Sequence, residues 1–293
     1  MKKEILVTKY SGEKVSFSEA KLRSSLQRAG ANSNEIESII DKVVHSLYEG
    51  ISTKKIYHIA FKTLRDYSRS VAARYHLKRG IMELGPSGYP FEIYVGEIMK
   101  HQGYNVKVGV IEAGRCVSHE VDVIAAKNNQ YLMIECKYHN LPGTICDVKI
   151  PLYIQARFKD IETEWIKKPE LANKFCQGWV VTNTKFSTDA IRYGTCAGLN
   201  LIGWDYPTTG SIRESVDTFN LYPITCLTLL SKSEKQQLLN RKVVLCKDIH
   251  QNKQVLEEIG VKNHKISLIL EEAQQLCNRS IVNVKNTPRE KKK

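Results

Sequence analysis

The sequence predicts a multi-domain α/β protein made of three parts. Residues 1–85 combine a strand–turn–strand pattern with helical runs, residues 90–205 mix helical and β-rich runs, and residues 220–280 are helical in pattern. Glycine and proline punctuate 85–90 and 205–210, as expected of linkers. We therefore expect a mostly helical domain with a small hairpin, then a mixed β-sheet flanked by helices, then a small helical region.

The first part begins with two β-rich runs, 5–9 and 15–17, on either side of a turn at 11–14. Four helices are predicted after this hairpin, at 19–28, 34–47, 53–67 and 70–78. Ser18 and Thr53 are the expected N-caps, and Gly30 is an expected stop.

Several short motifs in this part carry a family resemblance. They are Val7-Thr8-Lys9, Gly12, Phe17, Lys21, Ile51-Ser52-Thr53 and Ala73-Arg74-Tyr75. Residues 1–85 resemble the ATP cone, the nucleotide-sensing domain of ribonucleotide reductases. The resemblance implies that Val7 and Lys9 line a nucleotide pocket, that Lys21 lies near the phosphates, and that Thr53 and Tyr57 are nearby. It makes ATP or dATP the expected regulatory ligand; the alternative is a cone that no longer binds nucleotide.

The second part, 90–205, contains a hairpin with charged residues at its strand ends. The runs 121–126 and 131–136 are joined by an Asn-Asn turn, because Asn tolerates positive φ. Asp122 lies near the start of the first strand, and Glu135 and Lys137 share one face at the end of the second. The hairpin would bring two carboxylates and a lysine together at one edge of the sheet.

Other elements of this part surround the hairpin. A helix at 91–100, a strand at 104–108 and a loop at 112–118 are predicted before it. A helix at 148–161, a strand at 178–182, a helix from residue 188 and a strand at 199–204 are predicted after it. The result is a mixed α/β sheet.

This arrangement also resembles a known family. The residues that carry the resemblance are Phe91-Glu92, Gly103-Tyr104, Asp122, Glu135-Cys136-Lys137, Gln155 and the run VVTNTKFSTDA. They resemble the PD-(D/E)xK nucleases, and within them the Mrr-type restriction endonucleases and archaeal Holliday-junction resolvases. By resemblance, Glu92 rather than Glu97 is the helix carboxylate of the site.

The residue types suggest a metal-dependent hydrolysis of phosphodiesters. Asp122 and Glu135 are the expected ligands of Mg²⁺, with the carbonyl of Cys136 as a third, and Mn²⁺ is expected to substitute. Lys137 would orient or deprotonate the attacking water and stabilise developing charge. Glu92 would complete the metal shell through water, and Gln155 would position substrate or water. The alternative is a solvated strand end at Asp122 beside a surface ion pair.

The third part, 220–280, is predicted to be a helical module. Helices are expected from Ser231 or Ser233 to 240 and from 265 to 276, with an extended or short helical piece at 243–247. The run 256–261 with the helix that follows is similar to a helix-hairpin-helix, and a plain helical packing module is the alternative. The basic tail, 281–293, is expected to add sequence-independent DNA affinity.

Charge and composition narrow the function. The net charge of +13 and the pI of about 9.3 suggest a polyanionic partner. The sequence contains no glycine-rich GKS/T loop, no CxxC pair and no apolar run of membrane-spanning length. The eight cysteines are expected to be free thiols in a reducing cytoplasm.

The function expected from the sequence is a cytoplasmic, divalent-metal-dependent DNA endonuclease. Its activity or assembly would be set by ATP or dATP, and by resemblance it would be a homo-oligomer. Two alternatives stay open: a nuclease of the same chemistry that acts on RNA, and an inactive, nucleotide-responsive DNA-binding protein.

Overall fold

The computed structural model of the chain describes residues 5–171 and 173–278. Within these ranges the predicted fold class is confirmed: a small hairpin with helices, a mixed five-stranded sheet flanked by helices, and a helical end. The predicted basic tail at 281–293 lies outside the described residues. Among the described helices, none is both long and apolar enough to cross a bilayer.

The N-terminal region has two short antiparallel strands and five helices. The strands are β1 (Leu6–Thr8) and β2 (Lys14–Ser16). The helices are α1 (Glu19–Ala29), α2 (Ser33–His45), α3 (Thr53–Tyr67), α4 (Arg69–Tyr75) and α5 (Leu77–Met82). Their first and last turns follow the capping rules.

Two capping predictions in this region are confirmed and one is wrong. Ser18 accepts a hydrogen bond from the backbone N–H of Lys21, and Gly30 ends α1 with a left-handed φ of 93°. The cap of α3 is Ser52, whose hydroxyl accepts from the N–H of Lys55, so the prediction of Thr53 was one residue late. The helix predicted at 70–78 is two helices, because the chain leaves α4 at 76 and starts α5 directly.

The central region contains one large mixed sheet. Its elements are α6 (Tyr89–His101), β3 (Asn105–Ala113), β4 (Ser118–Lys127), β5 (Gln130–Lys137), β6 (Ile145–Cys146), α7 (Lys149–Trp165), β7 (Phe175–Thr182), β8 (Lys185–Phe186), α8 (Thr188–Cys196) and β9 (Asn200–Ile202). The strand order is β3-β4-β5-β7-β9, in which β3, β4 and β5 are antiparallel and β5, β7 and β9 are parallel. Strands β6 and β8 form a separate parallel pair.

The turn between β4 and β5 has the predicted geometry, because Asn128 adopts a φ of 50°. The loop predicted at 112–118 is shorter than expected, since β3 and β4 extend to Ala113 and Ser118. Asp160 of α7 accepts hydrogen bonds from the N–H groups of Cys116 and Val117 and pairs with His119 at 2.8 Å. These contacts hold the β3–β4 turn against α7.

The C-terminal region is helical. It contains α9 (Ile212–Phe219), α10 (Lys232–Asn240), α11 (Cys246–Gln251), α12 (Gln254–Glu258) and α13 (Asn263–Cys277). Ser231 caps α10 in a capping box with Glu234. Helix α9 was not predicted, because its eight residues give too short a pattern to distinguish from the linker.

The described residues form three hydrophobic clusters. One lies within the N-terminal region and centres on residues such as Leu26, Ile39 and Leu64. A second packs α7 and α8 against one face of the sheet. The third packs the other face of the sheet and α6 against the C-terminal helices, from Phe91 to Leu276. The sheet and the C-terminal region therefore share one core.

Candidate active site

The hairpin positions the first two carboxylates of the site. Val123 pairs with Ile134 in the β4–β5 ladder, so Asp122 and Glu135 are the next residues along the two strands. The backbone N–H of Cys136 donates to Asp122 Oδ2 at 2.7 Å. Both carboxylates are half-buried. Asp122 and Glu135 therefore lie beside each other on neighbouring strands.

Glu92 faces the same cluster from the first turn of α6. Burial, with the negative charges of Asp122, Glu120 and Glu135, raises the pKa of Glu92 to about 7. Glu97 lies on the same helix but forms ion pairs with Lys100 at 2.6 Å and Lys247 at 3.8 Å. Glu92 therefore interacts with the carboxylates of the hairpin, whereas Glu97 is neutralised by lysines elsewhere on the surface.

The carboxylates of the hairpin are crowded. Burial is the main reason that the pKa of Asp122 and the pKa of Glu135 both lie above their ordinary values, and for Glu135 the charge of Asp122 adds to it. The positive charges of Arg157 and then of Lys137 lower both pKa values but do not cancel the effect of burial. These two cations therefore offset only part of the electrostatic cost of holding the carboxylates together.

Arg157 supplies the strongest contact to the cluster, and sequence reasoning missed it. From the sequence we expected Arg157 to be a nucleic-acid contact or a solvated charge. Its Nη1 lies 2.7 Å from Glu135 Oε2, and its Nη2 donates to the carbonyl of Glu120. The Arg157 and Glu135 side chains are only 12% and 19% exposed. A pairing over 22 residues has no local pattern that could have revealed it.

Gln155 and Arg157 flank the buried stripe of α7, which contains Ile154, Phe158 and Ile161. The side-chain oxygen of Gln155 is buried and has no hydrogen-bond partner among the described residues. An orphaned amide oxygen of this kind costs free energy unless a donor arrives. Gln155 therefore offers an acceptor for a water or a substrate group.

A polar network orders the chain immediately after Lys137. The hydroxyl of Thr182 donates to the carbonyl of Lys137 at 2.8 Å. Asn183, only 1% exposed, accepts from the N–H of His139 at 2.8 Å and donates to its carbonyl at 2.7 Å. Thr184 lies 3.0 Å from Nδ1 of the same histidine. The run TNT at 182–184 thus fixes the backbone that bears Lys137.

The donor set fits a hard divalent cation only in part. Asp122 and Glu135 provide the hard carboxylate oxygens that Mg²⁺ prefers, although Glu135 is already paired with Arg157. Within the described ranges, however, no three His, Cys, Asp or Glu side chains converge closely enough to hold an ion. The thiol of Cys136 is buried and its pKa lies well above the ordinary value because of that burial, so only its carbonyl could serve.

The structure also places the residues expected to bind nucleotide. Thr8 forms a parallel bridge with Ser52, which brings the end of β1 to the start of α3 and hence Lys9 towards Thr53. Val7 is buried in the N-terminal core, and Lys9 pairs with Glu13 at 3.0 Å. Lys21 is exposed on the first turn of α1.

Tyr57 lies in a different setting from the other expected nucleotide residues. Its ring stacks on Tyr75 at 5.3 Å, its hydroxyl lies 2.5 Å from His76 Nδ1, and Arg79 lies over its ring at 4.5 Å. Burial raises its pKa. Tyr57 therefore packs towards α4 and α5, at the join between the N-terminal and central regions.

Three family models match successive parts of the chain. Family models match an ATP cone domain at 5–81, a restriction endonuclease catalytic domain of the Mrr type at 85–205, and an "AF1548-like, C-terminal" domain at 222–277. The middle match supports a nuclease-type hydrolase, and the first supports nucleotide binding.

Two similar proteins are also of unestablished function. An uncharacterized protein of Archaeoglobus fulgidus is 34% identical over 183 residues, which are 62% of this chain and 99% of that protein. A solved structure titled "Crystal Structure of Protein of Unknown Function AF1548" has 34% identity and a TM-score of 0.55, and the match covers 65% of this chain and 98% of that one. The chain therefore belongs to the AF1548-like family, with an ATP cone domain followed by a restriction endonuclease domain of the Mrr type.

Proposed function

We propose that the protein is a Mg²⁺-dependent endonuclease that hydrolyses phosphodiester bonds of DNA in the cytoplasm. The observation that carries the proposal is the half-buried cluster of Glu92, Asp122 and Glu135 beside Lys137. Carboxylates that repel one another are costly to hold together, and a cluster of this kind is typical of a catalytic site. The net charge of +13 supports a nucleic acid as substrate.

Each residue has a distinct role in this proposal. Asp122, Glu135 and the carbonyl of Cys136 would hold the metal, which when bound neutralises phosphate charge and lowers the pKa of water. Lys137 orients the attacking water and stabilises negative charge on the phosphate oxygens. Glu92 accepts a hydrogen bond from a water at the cluster, and the unpartnered oxygen of Gln155 accepts one from water or substrate.

Arg157 adds a step that the sequence did not suggest. Its guanidinium lies 2.7 Å from the carboxylate of Glu135, which would also hold the cation. We propose that, with a cation at that carboxylate, the guanidinium would exchange this contact for one to a phosphate of the substrate. Arginine suits this exchange, because its planar fork binds carboxylate and phosphate in the same geometry.

The N-terminal region would set activity or assembly through ATP or dATP. Lys9 and Thr53 at the meeting of β1 and α3 support a nucleotide pocket there, and the phosphates would lie near Lys21. The stack around Tyr57 supports a path from that pocket to the central region. We expect a homo-oligomer.

Cleavage of plasmid DNA and of RNA in Mg²⁺ or Mn²⁺, with and without ATP or dATP, tests the proposal. Asp122→Asn and Lys137→Met should each reduce plasmid cleavage on the order of 10²-fold or more. Lys167→Met is the matched control, since that lysine is exposed and, among the described residues, its ion pair is with Glu164 alone. Cleavage that survives both site substitutions contradicts the assignment.

The same experiment separates the alternatives. Cleavage of RNA but not plasmid would identify the RNA enzyme. Binding of DNA by the wild type without cleavage in any metal would identify the inactive DNA-binding protein.

A further inference from the structure

A second pocket lies where the N-terminal, central and C-terminal regions meet. Its volume is about 320 Å³, within the range of small-molecule sites. Its walls come from α1, α4, α5, α9, β8 and the loop after β9. Five basic side chains line it: Arg28, Arg74, Lys78, Lys185 and Arg213. We call this the junction pocket.

The junction pocket has more positive charge than its own acids can neutralise. Its acidic residues are Asp205 and Asp217. Asp205 already pairs with Lys185 at 3.2 Å. Arg28, Lys78 and Arg213 make no side-chain hydrogen bond or ion pair with the part of the chain that the structure describes. Cations held together without counter-ions repel one another, so the pocket is arranged for an anion.

Lys78 is the clearest of these groups. Its Nζ lies 5.7 Å from the ring centroid of Trp204. Desolvation by the pocket walls lowers the pKa of Lys78, the charge of Asp205 raises it, and the charges of Lys185 and Arg213 lower it. A bound anion would stabilise the charged form of Lys78 and so raise this pKa.

The pocket also joins parts of the fold that are far apart in sequence. Arg74 donates to the carbonyl of Gln275 in α13 at 2.7 Å, so this wall is tied to the C-terminal region. The backbone N–H of Trp204 donates to the carbonyl of Thr184, which belongs to the network that fixes Lys137. An anion held here would contact all three regions.

We propose that the junction pocket binds a small polyphosphate anion, either inorganic polyphosphate or the phosphate chain of a nucleotide, and so ties the N-terminal region to the central region. Three free cations and one ion-paired lysine suit several phosphates rather than one, because arginine forks and lysine point charges each bind a separate oxygen set. A volume of about 320 Å³ suits a compact ligand better than a continuous nucleic-acid strand. The proposal does not depend on cleavage.

Calorimetric titration of the full chain with inorganic tripolyphosphate, and separately with ATP, tests this site. Lys78→Gln with Arg213→Gln should weaken tripolyphosphate binding at least about tenfold, because two charge-assisted contacts are lost. The matched control is Lys62→Gln with Lys253→Gln, two exposed lysines outside the pocket. Unchanged affinity in the pocket variant overturns the proposal.

Two further readouts locate the ligand and its source. Tripolyphosphate should change the tryptophan fluorescence of the wild type. Trp204→Phe should remove that change, while calorimetry still detects binding. A fluorescence change that survives in this variant overturns the proposal. Binding of ATP but not tripolyphosphate at the pocket identifies a nucleotide, and binding of both identifies the phosphate chain as sufficient. If Lys78→Gln with Arg213→Gln lowers the affinity for duplex DNA but leaves tripolyphosphate binding intact, the pocket binds nucleic acid and the proposal is overturned.

Discussion

Glu92→Gln should stabilise the protein at neutral pH while it impairs the site. The pKa of Glu92 rises from 4.5 in the unfolded chain to about 7 in the folded one, because of burial and then the charges of Asp122, Glu120 and Glu135. A raised carboxyl pKa means that the folded state binds the proton more tightly. The contribution of protonated Glu92 to the stability of the folded state is therefore complete below pH 4.5 and is lost as the pH rises to about 7.

The size of this effect follows from the same numbers. A shift from 4.5 to about 7 corresponds to about 3 kcal/mol, which partial exposure of the side chain reduces to about 1 to 2 kcal/mol. Glutamine keeps the shape and removes the charge. Above pH 7 the variant should be more stable than the wild type by that amount, and near pH 4.5 the two should be equal.

Thermal melts in chelator across this pH range measure the difference, at about 2 to 4 °C for each kcal/mol. Glu97→Gln is the matched control, because Glu97 is on the same helix but is paired with Lys100. It should show no stabilisation that grows with pH. A difference between the Glu92 variant and the wild type that stays constant from pH 4.5 to 7 would refute the electrostatic reasoning.

Three other predictions follow from contacts at the site and the cone. Arg157→Ala should lower the free energy of unfolding by about 1 to 3 kcal/mol without metal, since Glu135 loses its partner. Mg²⁺ should then raise the melting temperature of this variant more than that of the wild type. An equal rise contradicts the exchange of Arg157 between Glu135 and phosphate. Asn183→Ala should lower the free energy of unfolding in urea by about 1 to 3 kcal/mol, because two hydrogen bonds to His139 are lost in a buried site. The control, Asn140→Ala at an exposed position, should change it by less than about 0.5 kcal/mol. Saturating ATP or dATP, at 100 times Kd, should stabilise the chain by about 2.7 kcal/mol; an unchanged melting temperature would count against a binding cone.

Local patterns predicted the local structure well. The turn at Asn128 follows from the tolerance of asparagine for positive φ, and the end of α1 follows from Gly30. The error at the start of α3 arose because Ser52 and Thr53 are equally good caps in sequence, and only the bond from Lys55 N–H distinguishes them. The length of β3 could not be read either, because its pairing with β4 is what carries it beyond residue 108.

The site shows where sequence reasoning reaches its limit. Asp122, Glu135 and Lys137 could be placed together because a hairpin with a two-residue turn fixes its own register. Arg157 and Asn183 could not, since each meets the hairpin from an element that packs on it only after the sheet has formed. Such contacts depend on tertiary packing and leave no periodic trace.

The hydrophobic cluster shared by the central sheet and the C-terminal helices limits how such a gene can be rearranged. A coding segment that ends near residue 205 would leave one face of the sheet without the apolar surface that α10 to α13 provide. The N-terminal region has a cluster of its own and joins the rest through α4 and α5. Because Leu77 and Ile81 of α5 belong to the core shared by the sheet and the C-terminal helices, a fusion that exchanges the N-terminal region has to keep α5, and the sheet and its helical cover have to be inherited as a pair.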